Sequence, residues 1–219
     1  MNSIGELVLY KNNQLIALNK PCGVAVQPDR STDKSLFDLA EIYTSSKLHL
    51  IHRVDRPVSG VVLFAKNKKA VAAINEQVRQ RKIQKTYLAI VAQEPEPAAG
   101  KLVHHLVKNG RTNHSRAFAE PQPRSKEAVM EYRTLASSER YHLLEVDLLT
   151  GRHHQIRAQL GAIGSPVRGD DKYGFRRGNR DRSIQLHAWK LRFQHPVSME
   201  WVELVAPPPD EPIWRAFNL

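Results

Sequence analysis

Three short clusters in this 219-residue chain combine residue types able to do chemistry. The densest is His52-Arg53-Val54-Asp55-Arg56-Pro57-Val58-Ser59-Gly60. A carboxylate between two guanidiniums stays ionised, because nearby positive charge favours its charged form. An ionised carboxylate can serve as a covalent nucleophile. In an extended segment Arg53 and Asp55 face one way and Val54 the other. Pro57 and Gly60 predict a turn, which sets the carboxylate on a loop just before a strand. The competing reading is a structural ion pair at a strand entrance. The second cluster, Leu148 to Arg157, reads LLTGRHHQIR. Ile156, Leu160 and Ile163 fall at helical spacing and predict a core stripe. Arg157 lies beside that stripe, where a guanidinium can be half buried and matched to a carboxylate in a fork. Alternatively, Arg152 and Arg157 merely coat a basic helix face. The third cluster runs IQKTYLA from Ile83 to Ala89. Tyr87 offers a flat ring and a hydroxyl on a strand, and a plain core tyrosine is the rival reading.

The elements that must position these groups are visible in the apolar pattern. Residues 7–10 and 15–18 predict a hairpin closed by Lys11-Asn12-Asn13-Gln14. Pro21 and Gly23 end its second strand. Leu36, Leu39, Ala40 and Tyr43 predict a helix, with Ser31, Thr32 and Asp33 as capping candidates. Residues 61–65 form a continuous β-branched run, the mark of a buried strand. Val71, Ile74 and Val78 predict the buried stripe of a second helix. Strands are expected at 86–91, 128–135, 141–149, 184–193 and 201–205, and a helix from about His153 to Ile163. Residues 94–100 read as a rigid connector, and 108–116 as an exposed basic loop. The stretch 174–182, with four arginines, reads as mobile and exposed. The expected class is α+β, a central mixed, mainly antiparallel sheet with flanking helices and loops, in one domain spanning 1–219. No strand is followed by a Gly-rich phosphate loop, which disfavours a doubly wound nucleotide-binding fold.

Charge narrows the partner. Thirty-three Lys+Arg against 22 Asp+Glu leave a formal net charge of +11. Such a surplus favours a polyanion, because each phosphate neutralised releases condensed counterions. The alternative is a basic but inert surface. No long basic amphipathic helix points to an anionic membrane instead. No apolar run approaches the roughly 20 residues of a membrane span. The first residues lack the pattern of a signal peptide. The single cysteine, Cys22, excludes an intramolecular disulfide and argues for a reducing compartment. A soluble, cytoplasmic monomer is expected.

Taken together, the three clusters resemble the RluA-type RNA pseudouridine synthases, and the likeness covers nearly the whole chain. The family pattern H-R-[LIV]-D-x-x-x-S-G reads HRVDRPVSG, K-x-Y-x-A reads KTYLA, and G-R-x-H-Q-[IL]-R reads GRHHQIR. Weaker echoes are NKPCG at 19–23, GDDKYG at 169–174 and LHAWKLRFQHP at 186–196. The resemblance implies that Asp55 is the catalytic aspartate and that Arg53 enters the space vacated by a flipped nucleotide. It implies that Tyr87 packs against the target base and that Arg157 pairs with the catalytic carboxylate. His52, Arg56, Arg152 and Gln155, which flank these residues, are taken with Arg53 as substrate-binding candidates. The implied substrate is a uridine in structured transfer or ribosomal RNA, the implied fold a mixed sheet around a basic cleft, with neither cofactor nor metal.

A stacked uridine hides its C5, so it must leave the helix or loop before it can react. Val58 stands where many relatives carry Thr, and His153 where Thr or Ser is frequent. The chain begins almost at its first hairpin, which leaves no room for an N-terminal S4-type RNA-binding module. Two other classes compete. One is a catalytically silent RNA-binding protein of the same fold. The other is a metal-dependent nuclease using His49, His52, His153, His154 and Asp55, although adjacent histidines on a helix point about 100° apart.

Overall fold

The computed structural model describes residues 3–29 and 33–218. In chain order the elements are β1 (Val8–Lys11), β2 (Leu15–Lys20), α1 (Leu36–Thr44), β3 (His49–Leu50), β4 (Ser59–Ala65) and α2 (Lys68–Arg79). They continue with β5 (Gln84–Val91), β6 (Ala99–Asn109), β7 (His114–Phe118), β8 (Lys126–Ser137), β9 (His142–Leu148) and α3 (Gln155–Ala162). The chain ends with β10 (Leu186–Gln194), β11 (Trp201–Val205) and α4 (Pro212–Arg215). The content is α+β, as expected, with strands predominating over helices. Two compact units emerge, Met1–Lys85 with Ala188–Pro209, and Thr86–His187 with Asp210–Leu219.

In the first unit β1, β2 and β4 pair antiparallel, β3 pairs with the end of β4, and β10 pairs with β11. Every residue of β4 is buried, which explains its unbroken apolar sequence. Leu15, Ala17, Val61, Leu63, Phe193 and Leu204 form one core with Ala70 and Ile74 of α2. The buried face of α2 is Ala70, Ile74 and Gln77, a slight rotation from the expected Val71–Ile74–Val78 stripe: Ile74 is buried, Val71 packs half-buried against the core, and Val78 is exposed. The rotation follows from Gln77, whose amide both donates to the Gln194 carbonyl at 2.8 Å and accepts the Gln194 N–H at 2.8 Å.

The cap of α1 also differs from expectation. Ser31 and Thr32 lie outside the described residues, and Asp33 turns to Arg56 instead. Ser35 caps the helix in a reciprocal box with Asp38, because only the residue just before the first turn reaches the N3 amide.

The second unit is an antiparallel array in the order β5-β9-β8-β6-β7. The expected connector holds for 94–98, and its last two residues open β6. The expected basic loop at 108–116 narrows to 110–113, because its ends belong to the long hairpin of β6 and β7, whose tip is tightened by the Arg111 and Thr112 amides on the Asn109 side chain. Leu106 is the one buried residue of β6, and the others are exposed or half-buried, so its apolar signal is weak. The helix α3 starts at Gln155, two residues later than expected, because His154 takes a left-handed backbone with φ 53°. The stretch 174–182 is irregular, and its four arginines are exposed.

Gly60 is the tightest point in the first unit. Its φ is 112°, and an added Cβ would lie 2.2 Å from the Ala188 carbonyl oxygen. Gly60→Ala therefore combines backbone strain with overpacking, and should cost about 3 kcal/mol. Urea unfolding of the variant would show this as a lower midpoint, and an unchanged midpoint would contradict the close approach.

Candidate active site

The loop bearing Asp55 is held from inside the first unit. Lys20, at the end of β2, has no exposed surface. Its ammonium donates to the carbonyls of Pro21 (2.9 Å), Val24 (2.8 Å) and Arg56 (3.2 Å). The Gly23 N–H also donates to the Arg56 carbonyl at 2.9 Å, and Arg56 Nε returns a bond to the Gly23 carbonyl at 2.7 Å. The rest of the Arg56 guanidinium pairs with Asp29 and Asp33, each at 3.1 Å. Arg56 thus ties two loops together, a structural task beside the substrate contact expected of it. A turn from the Asp55 carbonyl to the Val58 N–H, at 3.0 Å, then leads into β4.

The alternation expected along the loop is present. Val54 is buried, Arg53 is exposed, and Asp55 lies between these extremes. Burial pushes the Lys20 ammonium down to about 8, partly opposed by Cys22 and Asp55. His52 is not the cation that a phosphate contact would need. Its Nε2 accepts the Leu63 N–H at 3.2 Å. Burial, then the charge of Lys85, push it down to about 3, so the imidazole is neutral with its proton on Nδ1.

The second unit places the other residues. Tyr87 pairs in register with Val146 and is 9% exposed. Arg157 is buried on α3, and its Nε and Nη2 grip both oxygens of buried Asp170 at 2.6 and 2.8 Å. Its guanidinium carbon lies 4.9 Å from the Tyr173 ring centroid. The Tyr173 hydroxyl accepts the Ser115 N–H at 2.8 Å and shares a hydrogen bond of 2.8 Å with His154 Nδ1. Burial, then the charge of Arg157, push His154 down to about 2.

Asp170 and Tyr173 were not singled out from the sequence. Both lie in GDDKYG, which drew notice only as a weak echo, although a carboxylate and a tyrosine framed by glycines was the available signal.

Two expectations are revised here. Gln155, a substrate-binding candidate, is 2% exposed. Its amide accepts from Thr150 Oγ1 (2.8 Å) and the Arg152 N–H (2.9 Å) and donates to the Val129 carbonyl (3.0 Å). It braces the turn before α3, because a buried amide must satisfy its polar atoms locally. Arg152 remains exposed, with Nε on the Glu127 carbonyl at 2.8 Å. His153 and His154 precede α3 rather than sitting on it, and their rings stack 3.7 Å apart instead of splaying by a helical step. Among the described residues no group of three or more His, Cys, Asp or Glu could hold a metal ion.

A carboxylate on a locked loop, a buried tyrosine on a strand and a buried arginine on a helix N-terminal turn belong to a mixed-sheet α+β architecture of a known class. Residues 14–162 match the family described as RNA pseudouridylate synthase, and the chain belongs to it. Members isomerise uridine to pseudouridine in RNA, and that is the enzyme class of this chain. The ribosomal large subunit pseudouridine synthase C of Vibrio parahaemolyticus is 31% identical over 94% of this chain and 68% of its own length. The tRNA pseudouridine synthase C of Haemophilus ducreyi is 32% identical, over 91% of this chain and 89% of its own. Among solved structures, human RNA pseudouridylate synthase domain containing 4 superposes with a TM-score of 0.77 at 25% identity, covering 94% of this chain and 90% of that one. No helix among the described residues is long and apolar enough to cross a membrane.

The two neutral histidines make stability fall in acid. In the unfolded chain each takes up a proton near pH 6.5. The folded chain resists this down to about 3 for His52 and about 2 for His154. Below pH 6.5 the unfolded state therefore binds more protons, and stability drops by about 2 kcal/mol per histidine by pH 5. Urea midpoints measured at pH 7 and pH 5 should show this fall, and His52→Gln should flatten it. An identical acid limb in the variant would mean that His52 is not held neutral.

Proposed function

We propose that Asp55 is the covalent nucleophile and that the target is a uridine flipped out of structured transfer or ribosomal RNA. What carries the reading is the way the loop is held. The Asp55 carbonyl accepts the Val58 N–H and the next carbonyl, that of Arg56, accepts from Lys20 and Gly23, while Asp55 keeps part of its surface exposed. A preorganised, accessible carboxylate is what covalent catalysis requires. The matched span 14–162 includes Asp55, Tyr87 and Arg157. The relatives named for large-subunit ribosomal RNA and for tRNA support both substrate classes.

In this reading the carboxylate attacks the nucleotide at C6 of the ring or C1′ of the ribose, and both routes end alike. The N1–C1′ bond breaks, the base turns, a C5–C1′ bond forms, the bond to the carboxylate breaks to release Asp55, and C5 loses its proton while N1 gains one. Tyr87 supplies the face on which the base packs, with its hydroxyl near the departing proton. Arg157 is the catalytic cation, and exposed Arg53 fills the gap left by the flipped nucleotide. The whole chain works as one catalytic domain, without cofactor or metal.

Asp55→Asn changes almost no volume but removes the anion. Fold and RNA binding should persist, while tritium release from C5-labelled uridine in RNA should fall below detection. A folded Asp55→Asn enzyme with wild-type turnover would sink the assignment. Tyr87→Phe keeps the ring and loses the hydroxyl. Single-turnover rates should fall roughly 100-fold with binding intact, and wild-type rates would leave Tyr87 only a packing role.

A further inference from the structure

Away from the residues assigned to the reaction, the second unit carries a cavity of about 730 Å³. That volume lies within the roughly 300–1,000 Å³ typical of ligand pockets. Its walls include Gln93, Tyr141, Pro166, Phe175, Arg176 and Arg177. Among the described residues that line it there is no carboxylate. Arg176 and Arg177 are exposed, whereas Tyr141 and Phe175 are half-buried and present ring surface that is neither core nor fully solvated.

The tyrosine wall is fixed from behind the lining. The Arg168 guanidinium carbon lies 5.2 Å from the Tyr141 ring centroid, and Arg168 Nη1 is anchored on Gln185 Oε1 at 2.8 Å. Cation–π contact with an anchored arginine orders the ring before any ligand arrives.

The combination has one chemical match. Two aromatic faces accept a planar ring, two arginines accept phosphate, and an exposed amide can read a base edge. An acidic peptide would use the arginines but leave the rings idle, and a paired helix would hide its base faces from them. We propose that this cavity is a subsite for one unpaired nucleotide of the RNA, separate from the uridine that reacts. Its base packs on Tyr141 and Phe175, and its phosphate lies against Arg176 and Arg177. The proposal rests on the reading of the chain as an RNA-directed enzyme and adds a contact that recognises a single-stranded segment.

The test uses the full chain with a fluorescein-labelled single-stranded oligouridylate and a blunt RNA duplex, followed by fluorescence anisotropy. The double variant Tyr141→Leu/Phe175→Leu keeps apolar bulk and removes stacking. It should bind the single strand roughly tenfold more weakly, with the salt dependence and the duplex affinity unchanged. Arg176→Gln/Arg177→Gln should instead make the salt dependence of single-strand binding shallower. Unchanged single-strand affinity in the leucine variant, or equal loss for single strand and duplex, would overturn the subsite. Because a variant can misfold, the wild-type protein is also crosslinked to an oligouridylate containing 4-thiouridine. Adducts on Tyr141 or Phe175 support the subsite, and adducts found only elsewhere refute it. The two proposals fail separately. Crosslinking here with full turnover by Asp55→Asn would remove the nucleophile and leave the subsite, and the reverse pattern would do the opposite.

Discussion

A buried ammonium governs the geometry of the first unit. Removing Lys20 from water costs several kcal/mol, and the cost is offset only because all three N–H groups find carbonyl oxygens. Those carbonyls belong to two loops, one after β2 and one carrying Asp55, so a single side chain sets their spacing. Arg56 repeats the link from outside, through Gly23, Asp29 and Asp33. The two loops are therefore positioned against each other by charge-assisted bonds to backbone carbonyls, from Lys20 within and Arg56 outside.

The second unit solves a related problem with different groups. Buried Arg157 needs an anion, and Asp170 provides one with both oxygens engaged. The Tyr173 ring beside the guanidinium adds a cation–π contact, and its hydroxyl is spent on the Ser115 N–H and His154. His154 and His52 are both held neutral, each with a nearby cation that opposes protonation. Burial penalises the charged imidazole first, and the neighbouring cation adds to that. The chain's surplus of positive charge is displayed outside, where exposed arginines such as Arg176, Arg177 and Arg180 can meet phosphate.

The sequence by itself determined which segments carry chemistry and most of the framework beneath them. HRVDRPVSG, KTYLA and GRHHQIR are local strings, so their residue types and order are readable without a fold. β4, β5, β8, β9 and β11 were legible for a similar reason. Burial on one or both faces writes itself into consecutive apolar residues. Tertiary structure alone decided the partners of the buried polar groups. Lys20 looks like any surface lysine in the sequence, because its acceptors are backbone carbonyls that include one at Arg56, thirty-six positions away. Asp170 reaches Arg157 across thirteen positions, and Gln155 turns inward to Val129 across twenty-six. The β6–β7 hairpin was missed because a strand solvated on one face and rich in His and Lys carries little apolar pattern. Backbone acceptors have no side-chain signature, and a half-wet strand leaves little periodicity. For that reason the residues able to react could be named from the sequence, while what holds them in place could be seen only in the fold.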